Sequence, residues 1–121
     1  MLKNINQVLI ISEAGRLRDS LRVLLKSCYP QAAIAETGNF SPSLLRLAAG
    51  PGALVLVDGD LPDEQAWQVM NYFRAPRTHS VLLAHSFAQQ QQAREAGAAV
   101  ILLDGFNAES LSAAVEAGMP V

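Results

Sequence analysis

Five short apolar runs punctuate the chain: Gln7 to Ile11, Ala32 to Ala35, Ala53 to Val57, Ser80 to Ala84 and Val100 to Leu103. Each has strand length and is bounded by turn or capping residues. They are continuous rather than alternating, the pattern of parallel strands covered on both faces. Helical spacing fills the intervals. Leu17, Leu21, Leu24 and Leu25 recur at i, i+4, i+7 and i+8 among Arg16, Arg18, Asp19, Arg22 and Lys26, which predicts an amphipathic first helix. Ser41-Pro42 supplies the cap and first-turn proline of a second helix carrying Leu44, Leu45, Leu47 and Ala48, stopped by Gly50-Pro51-Gly52. A third helix is expected from about Asp63 until Pro76, burying some of Ala66, Trp67, Val69, Met70 and Phe73. A glutamine-rich fourth spans roughly Ala88 to Ala96, and a fifth runs from about Ala108 to Ala117 behind Asn107 as cap.

Strict alternation of strand and helix with short connections requires right-handed crossovers and an open, doubly wound parallel sheet. Five such units match a flavodoxin-like (βα)5 fold with strand order 2-1-3-4-5 and helices on both faces. The length of 121 residues suits one domain over residues 1–121, and a composition that is 50% hydrophobic and 17% charged excludes a disordered segment. A net charge of −2 gives the domain no reason to seek a polyanion. Cys28 stands alone, and no apolar run approaches the ~20 residues that span a bilayer. Val8 to Ile11 is too short for a signal-peptide core. The expectation is a cytoplasmic domain with no direct nucleic-acid or membrane binding.

In this fold class ligands sit at the carboxyl ends of the strands, so the informative residues follow each run. They are Ser12-Glu13-Ala14-Gly15, Asp58-Gly59-Asp60-Leu61-Pro62, His85-Ser86 and Asp104-Gly105. A single glycine in the first turn leaves no nest for a nucleotide phosphate. Glu13, Asp58 and Asp104 offer oxygen ligands to a hard cation such as Mg2+. Asp63 reads as a dipole partner at a helix start. Asp58 differs: it ends a wholly apolar strand where no helix-capping role is open to it, and it reads as functional. His85 reads as a partly buried, hydrogen-bonded residue rather than a ligand or base. His79 falls in a loop with Arg77 and Thr78 and joins no constellation, and Cys28 packs as a small hydrophobe. No histidine is placed by sequence to activate Ser12 as a hydrolytic nucleophile.

Over essentially its whole length the chain resembles the receiver domain (CheY-like) of two-component response regulators. Val8 through Lys26 is similar to the family's first strand, acidic turn and first helix, and Ala53-Leu-Val-Leu-Val-Asp-Gly-Asp-Leu-Pro62 to its phospho-acceptor strand. Glu95-Ala-Gly-Ala-Ala-Val-Ile-Leu-Leu-Asp104 resembles the approach to strand five. The resemblance implies that Asp58 is the phospho-acceptor, and that Glu13, Asp58 and the backbone carbonyl of Asp60 would hold Mg2+. It also exposes departures. Ser12 replaces the first of the paired acids, His85 the switch Thr or Ser, Ile101 the switch aromatic, and Asp104 the lysine that pairs with the acceptor and its phosphoryl group.

The last exchange matters most. Three ionised carboxylates without the lysine sum to −3, and a phosphoryl group adds roughly −1.5 to −2 more. At ~4 Å and an effective dielectric of 20, each unit-charge interaction is about 4 kcal/mol, so reversing one sign shifts the balance by up to ~8 kcal/mol. The expectation is a degenerate receiver, or pseudo-receiver, that is not an enzyme and requires no cofactor. It would act through protein contacts on the face of helix four, strand five and helix five, where the resemblance places Phe87, the Gln89 to Gln92 run, Arg94, Ile101, Phe106 and Leu111. The glutamine run itself reads as a solvated helix face. One alternative is a working receiver using Mg2+, with Arg16 or Arg18 replacing the lysine. Another is a metal or small-ligand site of Glu13, Asp58, His85 and Asp104. The family also implies a histidine kinase upstream, homodimers through the same face and, in a longer chain, a C-terminal effector domain for transcription regulation.

Overall fold

The computed structural model describes residues 5–38, 52–61, 65–72, 79–96, 99–102, 107, 109–111 and 113. Five strands, β1 (Gln7–Ile11), β2 (Ala33–Thr37), β3 (Ala53–Asp58), β4 (His79–Ala84) and β5 (Ala99–Leu102), form one sheet in the order β2-β1-β3-β4-β5. Every neighbouring pair is parallel. Three helices are described with them: α1 (Arg16–Cys28), α2 (Gln65–Tyr72) and α3 (Phe87–Glu95). α2 and α3 are the third and fourth helices expected from sequence. The expected second helix lies outside the described residues, and of the fifth, residues 109–111 and 113 are described and helical.

The continuous apolar runs do what both-face burial requires. In β3 all six residues from Ala53 to Asp58 are buried. Alternate residues feed two layers. Leu9, Ile11, Val55, Val57 and Leu82 pack with Ala66 and Val69 of α2 and Ala93 of α3, and Trp67 is partly buried against them. Val8, Ile10, Leu54, Leu56, Val81, Leu83 and Ile101 pack on the opposite face with Leu21 and Leu25 of α1 and with Leu111. Of the other α1 leucines, Leu17 and Leu24 are only half-buried. No helix among the described residues is long and apolar enough to cross a membrane.

Four expectations are corrected here. β2 starts one residue later than its apolar run and continues through Glu36 and Thr37, because an edge strand has a half-exposed side that tolerates polar residues. His79 does not lie in a loop: it opens β4, buried, in register with Leu54. Ile101 and Leu111, expected on a contact face, are 6% and 0% exposed, because both belong to the core layer beneath α1. Of that face, Phe87 is 76% exposed and Arg94 is also exposed. Phe106 lies outside the described residues.

Candidate functional site

The layering also decides what meets at the carboxyl edge of the sheet. Ser12, Asp58 and His85 each stand two residues beyond a side chain of the α1-side layer, Ile10, Leu56 and Leu83 respectively. Parallel register aligns Ile11 with Val57, and Asp58 with Leu83. Three polar side chains from three strand ends therefore arrive on one side of the sheet, with Asp58 in the middle.

Both Asp58 oxygens are engaged. The Ser12 hydroxyl donates to Oδ2 at 3.1 Å, and Ser12 is 1% exposed. The backbone N–H of Asp60 donates to Oδ1 at 2.9 Å. Nε2 of His85 lies 2.5 Å from the same Oδ1. Nδ1 of His85 faces Oδ2 of Asp60 at 3.4 Å, so a carboxylate stands at each ring nitrogen. An imidazole with protons on both nitrogens can donate to both; a neutral one donates to only one.

Asp58 thus has a local structural role that the sequence reading did not allow: it closes its own turn through the Asp60 N–H. The arrangement is also not a hydrolytic triad. There a histidine lies between the nucleophile and the carboxylate, whereas here the carboxylate lies between serine and histidine.

Gln89 was missed as a site residue. Its Oε1 accepts from the His85 backbone N–H at 2.8 Å, and its Nε2 donates to the Gly59 carbonyl at 2.9 Å. The signal was Ser86-Phe-Ala-Gln89, the pattern of a helix capping box. Ser86 does cap α3, accepting from the Gln89 N–H at 3.1 Å. The glutamine side chain reaches back to residue 85 instead of to Ser86. Gly59 is tailored to this contact: a Cβ there would lie 2.5 Å from Gln89 Oε1 and 2.8 Å from the Leu83 carbonyl oxygen.

The remaining candidates are placed less centrally. Glu13 is exposed beside buried Ser12, and Arg16 is exposed. Arg18 is engaged elsewhere: Nη1 donates to the Ser12 carbonyl at 3.2 Å, and Nε lies 3.1 Å from Glu36 Oε1. Glu36 also pairs with Arg22 at 3.0 Å. Asp104 lies outside the described residues. Among the described residues no group of three or more His, Cys, Asp or Glu is placed to hold a metal ion. Nor does the donor set around Asp58 fit Mg2+ as it stands. A hard cation needs converging oxygen acceptors, and the carboxylate is met instead by a hydroxyl, an amide N–H and an imidazole.

No protein-family model and no curated protein sequence matches the chain. Solved structures do. A response regulator receiver domain protein from Clostridium thermocellum superposes with a TM-score of 0.68 at 16% identity, covering 94% of each chain. A signal receiver domain of a two-component histidine kinase from the same organism gives 0.67 at 13%, covering 96% of this chain and 98% of that one. A CheY-like receiver domain protein from Methanospirillum hungatei JF-1 gives 0.62 at 19%, covering 93% and 91%. With the parallel order β2-β1-β3-β4-β5, these superpositions establish that the chain has the flavodoxin-like fold of response-regulator receiver domains.

Proposed function

We propose that the chain is a receiver-type module of two-component signalling that acts by protein contact without conventional phosphorylation of Asp58. The observation that carries this reading is the closure of the acceptor carboxylate. A phospho-accepting aspartate must present an oxygen to an incoming phosphorus, with cations nearby to offset the charge. Asp58 instead has both oxygens engaged, and His85, at the position where the resemblance expects a small hydroxyl, lies against one of them. Phosphoryl transfer would have to break these contacts first. The donors already present offset the Asp58 charge, so the module requires no metal. Exposed Phe87 and Arg94 supply contact chemistry for a protein partner or a second copy.

The test is incubation of the protein with acetyl phosphate and Mg2+, followed by intact-mass measurement. The expected result is no added phosphoryl group. Substantial hydroxylamine-sensitive modification that disappears in Asp58→Ala would establish the alternative, a working phospho-receiver. Calorimetric titration with Mg2+, Mn2+ and Ca2+ is expected to show no binding at Asp58.

A further inference from the structure

Gln89 ties together the two loops that frame Asp58. The Asp58 carboxylate meets the His85 ring; the His85 N–H meets Gln89; and Gln89 returns to the carbonyl of Gly59, the residue after Asp58. The contacts form a closed ring. Gln89 is also in the first turn of α3, held by the Ser86 cap, two residues after exposed Phe87. There is little slack in the ring, since Gly59 lies so close to Gln89 and to the Leu83 carbonyl that even one methyl group would collide.

We propose that Gln89 is a positioning strut that couples the Asp58 carboxylate to the start of α3, so that the contacts Asp58 makes set how the first turn, and Phe87 with it, is held. This deepens the functional reading and rests on it only in taking Asp58 as the controlling site. It supplies a route from the strand tips to the exposed helix that needs no phosphoryl group. Such coupling is reciprocal: whatever Asp58 does to the α3 turn, Gln89 must do to Asp58.

Amide hydrogen exchange and the Asp58 carboxyl 13C resonance, measured by NMR on the full chain, test both directions. In Gln89→Ala the His85 N–H loses its acceptor and exchanges roughly fivefold faster, the fold-change of one hydrogen bond. The Asp58 carboxyl resonance and the Asp60 amide move with it. Gln89→Glu keeps an acceptor for His85 but has no donor for the Gly59 carbonyl, so His85 stays protected while the Gly59 and Asp60 resonances shift. In Asp58→Ala the His85 and Gln89 amides exchange faster, although neither bonds to Asp58 directly; Asp58→Asn serves the same comparison if the alanine variant does not fold. Unchanged His85 and Gln89 exchange in the Asp58 variants, or an unmoved Asp58 carboxyl resonance in Gln89→Ala, overturns the strut. Phosphorylation of Asp58 by acetyl phosphate would sink the functional reading alone, because the coupling is measured on unmodified protein.

Discussion

Replacing Asp58 with alanine tests the closure of its carboxylate by Ser12, Asp60 and His85 most directly, because two accounts of this carboxylate predict opposite signs. If Asp58 is an acceptor held in a crowded anionic rim, removing it relieves repulsion and the domain gains stability, as strained functional residues often allow. If it is the shared acceptor of Ser12, Asp60 and His85, the domain loses stability. Its size follows from burial. At 1% exposure the Ser12 hydroxyl cannot regain a water partner, and an orphaned buried donor costs about 1–3 kcal/mol. The Asp60 and His85 donors are open enough to be rehydrated, so each bond counts at the low end of a net hydrogen bond, about 0.5–1 kcal/mol. Relief of burying one carboxylate offsets part of this. The expected loss is about 2–4 kcal/mol, a fall in melting temperature of roughly 8–16 °C for a domain of this size. Thermal and urea unfolding followed by circular dichroism measure it. Ser12→Ala made in the same background should recover about 1 kcal/mol of interaction energy in a double-mutant cycle, since its donor is removed with its acceptor. An unchanged or raised midpoint in Asp58→Ala would refute the role of Asp58 as shared acceptor.

Three further outcomes follow from the packing. Gly59→Ala should destabilise by about 1–3 kcal/mol, and adding Gln89→Ala should recover only part, because the second collision is with the Leu83 main chain; full recovery in urea melts would contradict the geometry. Leu56→Ala, in the strand at the centre of the sheet, should cost about 2–5 kcal/mol by the same measurement. Burial pushes the Cys28 thiol up from its ordinary range, so less thiolate is present at neutral pH and iodoacetamide should react more slowly with the folded chain than with the chain in urea; equal rates would contradict it.

Much of the fold is legible in one dimension. β1 occupies the run Gln7 to Ile11 expected of it, and β3, β4 and β5 fall within one residue of theirs. The cause is that a strand buried on both faces must be apolar at every position, which a linear scan detects. Edge strand β2 escapes that constraint, and its end at Thr37 was invisible for the same reason. The candidate site was half legible. Asp58 stood out because a carboxylate ending an apolar strand is rare. The roles of Ser12 and Gln89 did not: a serine in a turn carries no local signal, and the Ser86-Phe-Ala-Gln89 pattern points to a capping box, whereas the side chain reaches His85 and Gly59.

Sequence alone determined which segments become the five strands and the three helices described between them, their order, and hence which edge of the sheet collects polar residues, because hydrophobic period and turn chemistry act over a few neighbours. Tertiary structure decided which of those residues touch. Ser12 and Asp58 lie 46 positions apart and His85 and Asp58 lie 27 apart. Only parallel register, fixed by burying both faces of the sheet at once, brings them into one hydrogen-bonded cluster.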